Sequence, residues 1–267
     1  MAELLIALGL LLTGALAAVA LRSPGWRQVA GQAGAVGGSL VGLEAAVRML
    51  VAGGAESITA TWPMPGGGLH LVIDALSAFF LLPVFGLTLA AALYGRAYLS
   101  AREAAGGAGW WFHLNMLTFG MALVVAAHDG LLFLLAWEIM ALAPFFLVVL
   151  DDRTAAVRHA GWTYLAATHL GTAFLLVLFV VLGGVAGSSD FDAYPAALRA
   201  HPELGSAIFL LAVIGFGSKA GIIPAHVWLP EAHPAAPSHA SALMSGAMIK
   251  IGIYGIVRML TMLGPPP

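Results

Sequence analysis

The only two lysines of the 267-residue sequence, Lys219 and Lys250, lie inside long apolar stretches. A charged side chain at the centre of a bilayer costs about 3 kcal/mol on insertion scales. Burial penalises the charged form of an amine, so a lysine held away from water can gain and lose a proton near neutral pH. We therefore expect both lysines to carry protons inside a membrane. The alternative is a lysine near a helix end whose ammonium group reaches the interface.

A carboxylate lies in a comparable setting. Glu138 follows Trp137 within the apolar run LLFLLAWEIMALAPFFLVVL. Such a group must face the protein interior or a file of water, and it needs a cationic partner. We expect that partner to be Lys219. A structural ion pair without proton traffic is the alternative.

The residues after Lys219 predict a break in its helix. Pro224 has no backbone N–H, and its ring collides with the carbonyl group four residues earlier, which belongs to Ala220. Gly221 loosens the same turn. In transporters, discontinuous helices expose backbone polar groups beside an ion site. An ordinary proline kink, common in membrane helices, is the alternative.

The residues around Lys250 predict which way this lysine points. Gly246, Lys250 and Tyr254 are spaced by four and share one face of a regular helix, and Ser241 and Ser245 have the same spacing. Glycine and serine permit close contact between membrane helices. We therefore expect Lys250 to face the bundle and not the lipid.

Histidines supply further titratable groups. His169, in the run YLAATHLGT, is the best relay candidate, because an imidazole titrates near neutral pH. His226, just past the expected helix break, is the second. The alternative for both is a hydrogen-bonded or interfacial histidine. That is the role we expect for His233 and His239, which flank the proline-rich turn that follows.

The composition indicates that the chain is surrounded mainly by lipid and not by water. Hydrophobic residues make up 61% of the chain and charged residues 9%, whereas a soluble domain has about 25% charged residues. Lipid must therefore cover most of the surface.

The net charge of −2 and the lack of a basic run give no sign of a nucleic-acid partner. The sequence contains no cysteine, which excludes iron–sulfur clusters and thiolate metal sites in it, and no compact set of His, Asp and Glu ligands predicts another metal site.

Hydropathy predicts an all-α, polytopic transmembrane bundle of about eight helices, of which the seventh is discontinuous. The first stretch contains Glu3 and no basic residue before its apolar run, which favours a retained helix over a cleaved signal peptide. The approximate spans are residues 2–21, 29–52, 73–95, 110–127, 131–150, 159–184, 204–229 and 238–262.

The arginines predict the orientation of the bundle. The first, third and fifth connections contain or adjoin Arg22, Arg27, Arg96, Arg102, Arg153 and Arg158. The other side has Arg48, Arg199 and Arg258. Because cytoplasmic loops carry an excess of basic residues, we expect the first set in the cytoplasm and both ends of the chain outside.

Two further charged positions are expected to be structural. Glu44 and Arg48 are spaced by four in the second span, which predicts an ion pair on one helix face. Asp74 opens the third span and is expected to cap its N-terminus.

The stretch from Lys219 to Lys250, KAGIIPAHVWLPEAHPAAPSHASALMSGAMIK, followed by IGIYGIVR, resembles the core signature of the antiporter-like membrane subunits. These subunits occur in respiratory complex I, in Mrp-type sodium/proton antiporters and in membrane-bound energy-converting hydrogenases. The segment EAHPAAPSHASALMSGAMIKIGIYG is most similar to the large membrane subunit of hydrogenase-4 and formate hydrogenlyase complexes. The Trp137-Glu138 pair also fits, and the resemblance extends over residues 70–262.

The resemblance implies a proton channel built from a glutamate on the fifth helix, a lysine on the broken seventh and a lysine on the eighth. Those positions correspond to Glu138, Lys219 and Lys250. It also implies other membrane subunits and a peripheral hydrogenase or dehydrogenase arm that holds the nickel–iron and iron–sulfur centres, with no cofactor in this chain. The expected location is the inner membrane of a bacterium or archaeon.

The sequence departs from the family in length. Family members typically have about fourteen helices in two inverted repeats of five helices, whereas about eight are expected here. We therefore treat residues 1–267 as a single transmembrane domain, with N-terminal helices in residues 1–105 and the first repeat in residues 110–262. A fragment, a split gene product and a truncated member all fit this pattern.

Three functions are consistent with the sequence. The first is proton translocation in a multisubunit redox complex of the hydrogenase-4, formate hydrogenlyase or NADH–quinone oxidoreductase type. The second is a passive membrane anchor for a peripheral redox arm, which would need no buried charges. The third is a sodium/proton antiporter subunit of the Mrp type. It is disfavoured because sodium needs oxygen-rich coordination and the eighth span offers mainly Ser241 and Ser245.

Overall fold

The computed structural model describes residues 1–62, 67–100, 107–151 and 153–263, with the backbone alone for residues 96–100, 107 and 151. In these ranges eight helical segments are long and apolar enough to cross a membrane, so the expected polytopic bundle is confirmed. Arg102 lies outside the described residues, and so do Pro63 to Gly66 and Asp152.

The elements in chain order are α1 (Ala2–Ala20), α2 (Pro24–Ala52), β1 (Ala55–Ala60), β2 (Leu69–Asp74), α3 (Ala75–Ser100), α4 (Gly107–Ala126), α5 (Gly130–Val148), α6 (Ala155–Ala186), α7 (Tyr194–Ala200), α8 (Gly205–Ala220), α9 (Leu229–Ala235), α10 (Ser238–Leu243) and α11 (Ile249–Leu263). The seventh span is α8. The eighth span is formed by α10 and α11 together with the π-helical turn Met244–Met248 between them.

Side-chain caps start several of the helices. The Asp129 carboxylate accepts hydrogen bonds from the backbone N–H groups of Leu131 and Leu132 at the start of α5. The Asp74 carboxylate accepts one from the N–H of Ser77, as the sequence predicts for a residue that caps α3. These bonds satisfy N–H groups that have no partner within the helix.

A two-stranded antiparallel hairpin, which the sequence analysis did not predict, connects α2 to α3. Its register pairs Ala55 with Asp74. The α4–α5 connection lies beside strand β2, where the N–H of His128 donates to the carbonyl of His70 at 2.9 Å. The N–H of Phe191, in the α6–α7 connection, donates to the carbonyl of His128 at 2.9 Å. We call this side of the bundle the hairpin end.

Both termini of the described chain lie at the hairpin end. The N-terminal ammonium group contacts the Glu56 carboxylate of β1. Near the other terminus, Arg258 forms a bidentate ion pair with Asp74, with N–O distances of 2.6 and 2.8 Å. This pair joins α11 to the start of α3 and was not predicted from the sequence.

The predicted pair of Glu44 and Arg48 is wrong. Arg48 bonds instead to Glu56 at 2.7 Å and to Glu3 at 2.8 Å. Glu44 faces outward on α2, whereas Arg48 lies near the end of α2, where the hairpin and the start of α1 bring two other carboxylates within reach.

Small residues let α8 pack tightly between α6 and α11. A Cβ atom at Gly171 of α6 would overlap the side chain of Ser218 on α8. A Cβ atom at Gly252 of α11 would lie 2.6 Å from the backbone nitrogen of Ala220. These close approaches hold the end of α8, and with it Lys219, between the two neighbouring helices.

Candidate functional site

The carboxylate of Glu138 lies against a histidine and not against the expected lysine. Its Oε2 atom is 3.2 Å from Nε2 of His169, which faces it from α6. Both side chains are partly exposed at the surface of the chain, 33% for Glu138 and 41% for His169. The prediction that Lys219 is the direct partner of Glu138 is therefore wrong, and His169, proposed only as a relay, takes that place.

The hydrogen bonds of His169 fix the position of a proton. Nδ1 lies 2.9 Å from the carbonyl oxygen of Leu165, which only accepts hydrogen bonds, so Nδ1 carries a hydrogen. Nε2 then meets the Glu138 carboxylate, which accepts but cannot donate when ionised. Nε2 and the carboxylate are close enough to exchange a proton directly or through a water.

Lys219 is enclosed by protein at the end of α8. Its side chain is 1% exposed, and its Nζ atom donates to the hydroxyl oxygen of Tyr164 at 3.0 Å. The ammonium group also lies 5.1 Å from the centroid of the Tyr164 ring, within cation–π range. The Tyr164 hydroxyl donates in turn to the carbonyl of Ala141 on α5 at 2.9 Å. Tyr164 therefore connects the lysine helix with the helix of Glu138.

The predicted break in the seventh span lies directly after Lys219. Helix α8 ends at Ala220, and Gly221 follows with φ of 76°, a left-handed conformation that favours glycine. The N–H of Ile222 donates to the carbonyl of Gly217 at 2.9 Å, as in a Schellman ending. The indole N–H of Trp228 donates to the carbonyl of Ser218 at 2.9 Å. The non-helical stretch that contains Pro224 thus folds back and satisfies carbonyl groups that the break leaves free.

Lys250 is exposed at the surface of the described chain, so the expectation that it faces the bundle is wrong. The sequence pattern assumed a regular helix from Gly246 to Tyr254. The π-helical turn Met244–Met248 interrupts the regular spacing between Gly246 and Lys250. Lys250 and Tyr254 share the regular helix α11, yet Tyr254 is buried, whereas the Lys250 side chain is exposed and donates from Nζ to the carbonyl of Ser245 at 2.6 Å.

A polar cluster that the sequence analysis assigned no relay role lies between the two lysines. Nδ1 of His233 is 3.1 Å from Oγ of Ser241 and 3.0 Å from Oγ of Ser245. The carbonyl of the same Ser245 accepts from Lys250. The only signal in the sequence was the spacing of the two serines, because His233 comes from the turn before α10 and reaches them through the fold.

Trp228 connects this cluster with Lys219. Its indole ring contacts Tyr164, with ring centroids 5.2 Å apart, and His233, with centroids 6.1 Å apart. Trp228 and Tyr164 are fully buried. Lys219, Tyr164, Trp228 and His233 therefore form a continuous row of packed side chains that leads to the serines beside Lys250.

The other predicted relay histidine lies apart from this row. His226 is partly buried in the non-helical stretch after the break, and its backbone carbonyl accepts from the N–H of Leu229. Among the described residues its Nδ1 atom has no hydrogen-bond partner. His239 is buried against the ring of Trp110, with centroids 4.5 Å apart.

An apolar cavity of about 510 Å³ lies between α6 and the stretch after the break. Its lining includes Leu170, Phe174, Ile214 and Pro224, with Ser218 at one side. An apolar lining offers a proton no hydrogen-bonded path.

A second buried pair lies at the hairpin end. The Arg258 guanidinium donates to both oxygens of Asp74, and it also donates to the hydroxyl of Ser77 at 2.9 Å. Burial of the Asp74 carboxyl acts to raise its pKa, but the hydrogen bonds from Arg258 and from the Ser77 N–H outweigh it and hold that pKa well below its ordinary value of 3.8. This pair is structural, since it fixes the end of α11.

Residues 127–265 match the family described as NADH:quinone oxidoreductase/Mrp antiporter, transmembrane. Among curated proteins, hydrogenase-4 component B of Escherichia coli (strain K12) is 39% identical over 222 residues. These cover 83% of this chain and 33% of that protein, so the chain spans about a third of the length of this relative.

Two solved structures share the fold. The first is the membrane-bound sulfane sulfur reductase, described as an archaeal respiratory membrane complex, with a TM-score of 0.82 and 28% identity over 98% of this chain and 41% of the matched chain. The second is the Mrp complex from Dietzia sp. DQ12-45-1b, with a TM-score of 0.80 and 23% identity over 98% of this chain and 28% of the matched chain. At that identity, the Mrp match supports the fold alone.

Proposed function

The chain belongs to the NADH:quinone oxidoreductase/Mrp antiporter family of membrane proteins, and on that premise we propose that it moves protons through the bilayer within a multisubunit redox complex. The observation that carries the proposal is Lys219, a lysine 1% exposed at the end of a broken membrane helix with a hydroxyl group as its hydrogen-bond partner. An amine in such a place is costly for a membrane protein to insert, and proton transfer gives it a use.

The first station is the pair of Glu138 and His169. The carboxylate and the imidazole, 3.2 Å apart, can exchange a proton directly or through a water, and the distance between them controls that exchange. Both side chains reach the surface of this chain. A neighbouring subunit that moves against that surface can therefore change the strength of the pair.

The second station is Lys219. The Tyr164 hydroxyl can rotate between donating to the carbonyl of Ala141 and facing Nζ, so the amine keeps a hydrogen-bond partner whether or not it carries its additional proton. Glu138 and Lys219 then influence each other through charge across Tyr164 and not through a direct ion pair. A proton released from Lys219 then moves toward His233 and the serines beside Lys250.

The third station is Lys250, reached through His233 and Ser245. The indole N–H of Trp228 is committed to the carbonyl of Ser218, so Trp228 orders the path without passing the proton itself. Water between Tyr164 and His233 bridges that step. Lys250 lies exposed at the surface of the described chain, where a further helical unit or subunit receives the proton.

The complex supplies what this chain lacks. We place the nickel–iron and iron–sulfur centres on partner subunits of a peripheral hydrogenase or dehydrogenase arm, since the sequence has no cysteine to hold a cluster. The membrane is the inner membrane of a bacterium or archaeon. Because Arg22 and Arg153 lie opposite the hairpin end, that end and both termini of the chain face away from the cytoplasm.

Substitution of Glu138 distinguishes this proposal from a passive anchor. Glu138→Gln in the assembled complex should abolish the quench of a pH-sensitive dye in inverted vesicles while the redox reaction with artificial acceptors continues. Glu44→Gln is the matched control, because Glu44 is an exposed glutamate on α2. Undiminished proton uptake in Glu138→Gln would support an anchor, which needs no buried carboxylate. Uptake that disappears in sodium-free medium would instead support a sodium/proton antiporter.

A further inference from the structure

Two aspartates and a histidine meet at the hairpin end, although the sequence analysis predicted no metal site. His70 belongs to β2, and Asp190 and Asp192 belong to the α6–α7 connection, 120 residues away from His70 in the case of Asp190. One ligand atom from each of the three residues lies within 4.8 Å of the others. We infer that this cluster binds one divalent transition-metal ion of the zinc type.

The backbone holds the three ligands in place. Strand β2, the connection at His128 and the segment at Phe191 are joined side by side by hydrogen bonds of 2.9 Å. One oxygen of Asp190 accepts from the N–H of Asp192 at 2.9 Å, which fixes the turn between the two carboxylates. A site with fixed ligands needs little reorganisation when an ion arrives.

The ligand types suit zinc. Zinc binds imidazole nitrogen and carboxylate oxygen at about 2.1 Å, often with three protein ligands and a water. Such ligands lie about 3.4 Å apart around a tetrahedral ion, so modest rotation of the side chains closes the present cluster. Nδ1 of His70 now donates to Asp190 at 2.7 Å. On metal binding the proton would move to Nε2, leaving a neutral imidazole with Nδ1 free to coordinate.

The surroundings also suit a cation. His70 is 8% exposed, whereas the Asp192 side chain is 77% exposed and leaves an open path for an ion and a water ligand. Nε2 of His128 donates to the Asp192 carboxylate at 3.0 Å and orients it. The two carboxylates bring two negative charges to a small region, and a divalent ion balances them. Bound metal would fasten the hairpin to the α6–α7 connection.

The test uses the whole chain in detergent micelles, titrated with Co²⁺ and then with Zn²⁺. We expect the visible absorption of one tetrahedral Co²⁺ per chain, displaced by Zn²⁺, and a rise in the melting temperature with Zn²⁺ because the ion binds only the folded protein. Asp192→Asn should weaken binding at least about tenfold. His70→Gln should abolish it. His201→Gln is the control. His201 lies 3.1 Å from Glu203 in an exposed histidine–carboxylate pair, which offers an ion two ligands and not three.

The outcomes are distinct. If His70→Gln fails to fold, Asp192→Asn still decides the matter, because its side chain is exposed and its loss does not disturb the core. Wild-type chain that binds no Co²⁺ or Zn²⁺ at micromolar concentrations overturns the inference. So does binding that is equally tight in Asp192→Asn, since the ion would then lie elsewhere.

Discussion

Nε2 of His169 lies 3.2 Å from Oε2 of Glu138, while the other nitrogen of the same ring is occupied by the carbonyl of Leu165. This arrangement places an acid and a base side by side between α5 and α6. The carboxylate that the sequence singled out is therefore coupled to its nearest titratable group across α5 and α6. Lys219 donates to the Tyr164 hydroxyl of α6, which donates in turn to the carbonyl of Ala141 on α5.

The close contact between Glu138 and His169 predicts that the two residues act as one unit. Glu138→Gln and His169→Gln should each lower proton uptake at least about tenfold, and the double variant should be no worse than the more severe single one. Initial rates of dye quenching in vesicles with the assembled complex measure this. Losses that multiply in the double variant would show two independent roles.

The bond between Lys219 and Tyr164 predicts a specific effect of removing one oxygen atom. Tyr164→Phe keeps the ring but leaves Nζ without its hydroxyl partner, which costs about 1–3 kcal/mol for a buried donor. We expect a lower melting temperature together with slower proton uptake. A Tyr164→Phe protein that melts and pumps like the wild type would contradict this account of Lys219.

The helix break predicts that Gly221 cannot be replaced. An alanine there would adopt a left-handed backbone at a cost of about 1–2 kcal/mol, and its Cβ atom would overlap Leu229. Gly221→Ala should therefore lower the melting temperature and displace Lys219. Gly205→Ala on the same helix has helical φ and open space around it, so it should be neutral or slightly stabilising. Equal melting temperatures for the two variants would mean that the break tolerates a side chain.

The Asp74–Arg258 pair predicts a loss of stability in acid. Because the pKa of Asp74 is lower in the folded chain than its ordinary 3.8, the unfolded chain binds the proton more readily. The stabilisation is thus fully present above about pH 5 and is lost as the pH falls below about 4. At pH 7, Asp74→Asn should destabilise by about 3 kcal/mol, since it leaves a buried guanidinium unpaired.

Melting curves of the two proteins between neutral pH and pH 3 test this prediction. The gap in melting temperature should begin to shrink below about pH 4, because the unfolded wild-type chain then binds a proton that the folded carboxylate does not. A gap that stays constant across this range would assign the effect of Asp74→Asn to something other than charge.

Features that depend on the cost of burial could be predicted from the sequence. The eight spans, the cap at Asp74 and the interruption after Lys219 all follow from hydropathy or from the backbone chemistry of one or two residues. Such signals come from residues that are close together in the chain, so a single sequence is enough to predict these features.

Features that depend on how helices rotate against each other could not be predicted. The π-helical turn at Met244–Met248 interrupts the four-residue spacing between Gly246 and Lys250, and the Lys250 side chain is exposed although Tyr254, four residues later, is buried. The carboxylate of Glu138 bonds to His169 because α5 and α6 face each other at that depth. The cluster of His70 with Asp190 was the hardest feature to predict, because its members come from two separate connections between helices.

The most direct test of proton transfer through Lys219 is the number of protons moved per electron pair by the assembled complex in sealed vesicles. The account predicts that Lys219→Met lowers this ratio while electron transfer to an artificial acceptor continues. Arg22→Met, which removes an exposed cation by the same substitution, should leave the ratio unchanged. A Lys219→Met complex that assembles, transfers electrons and moves as many protons as the wild type would contradict the account.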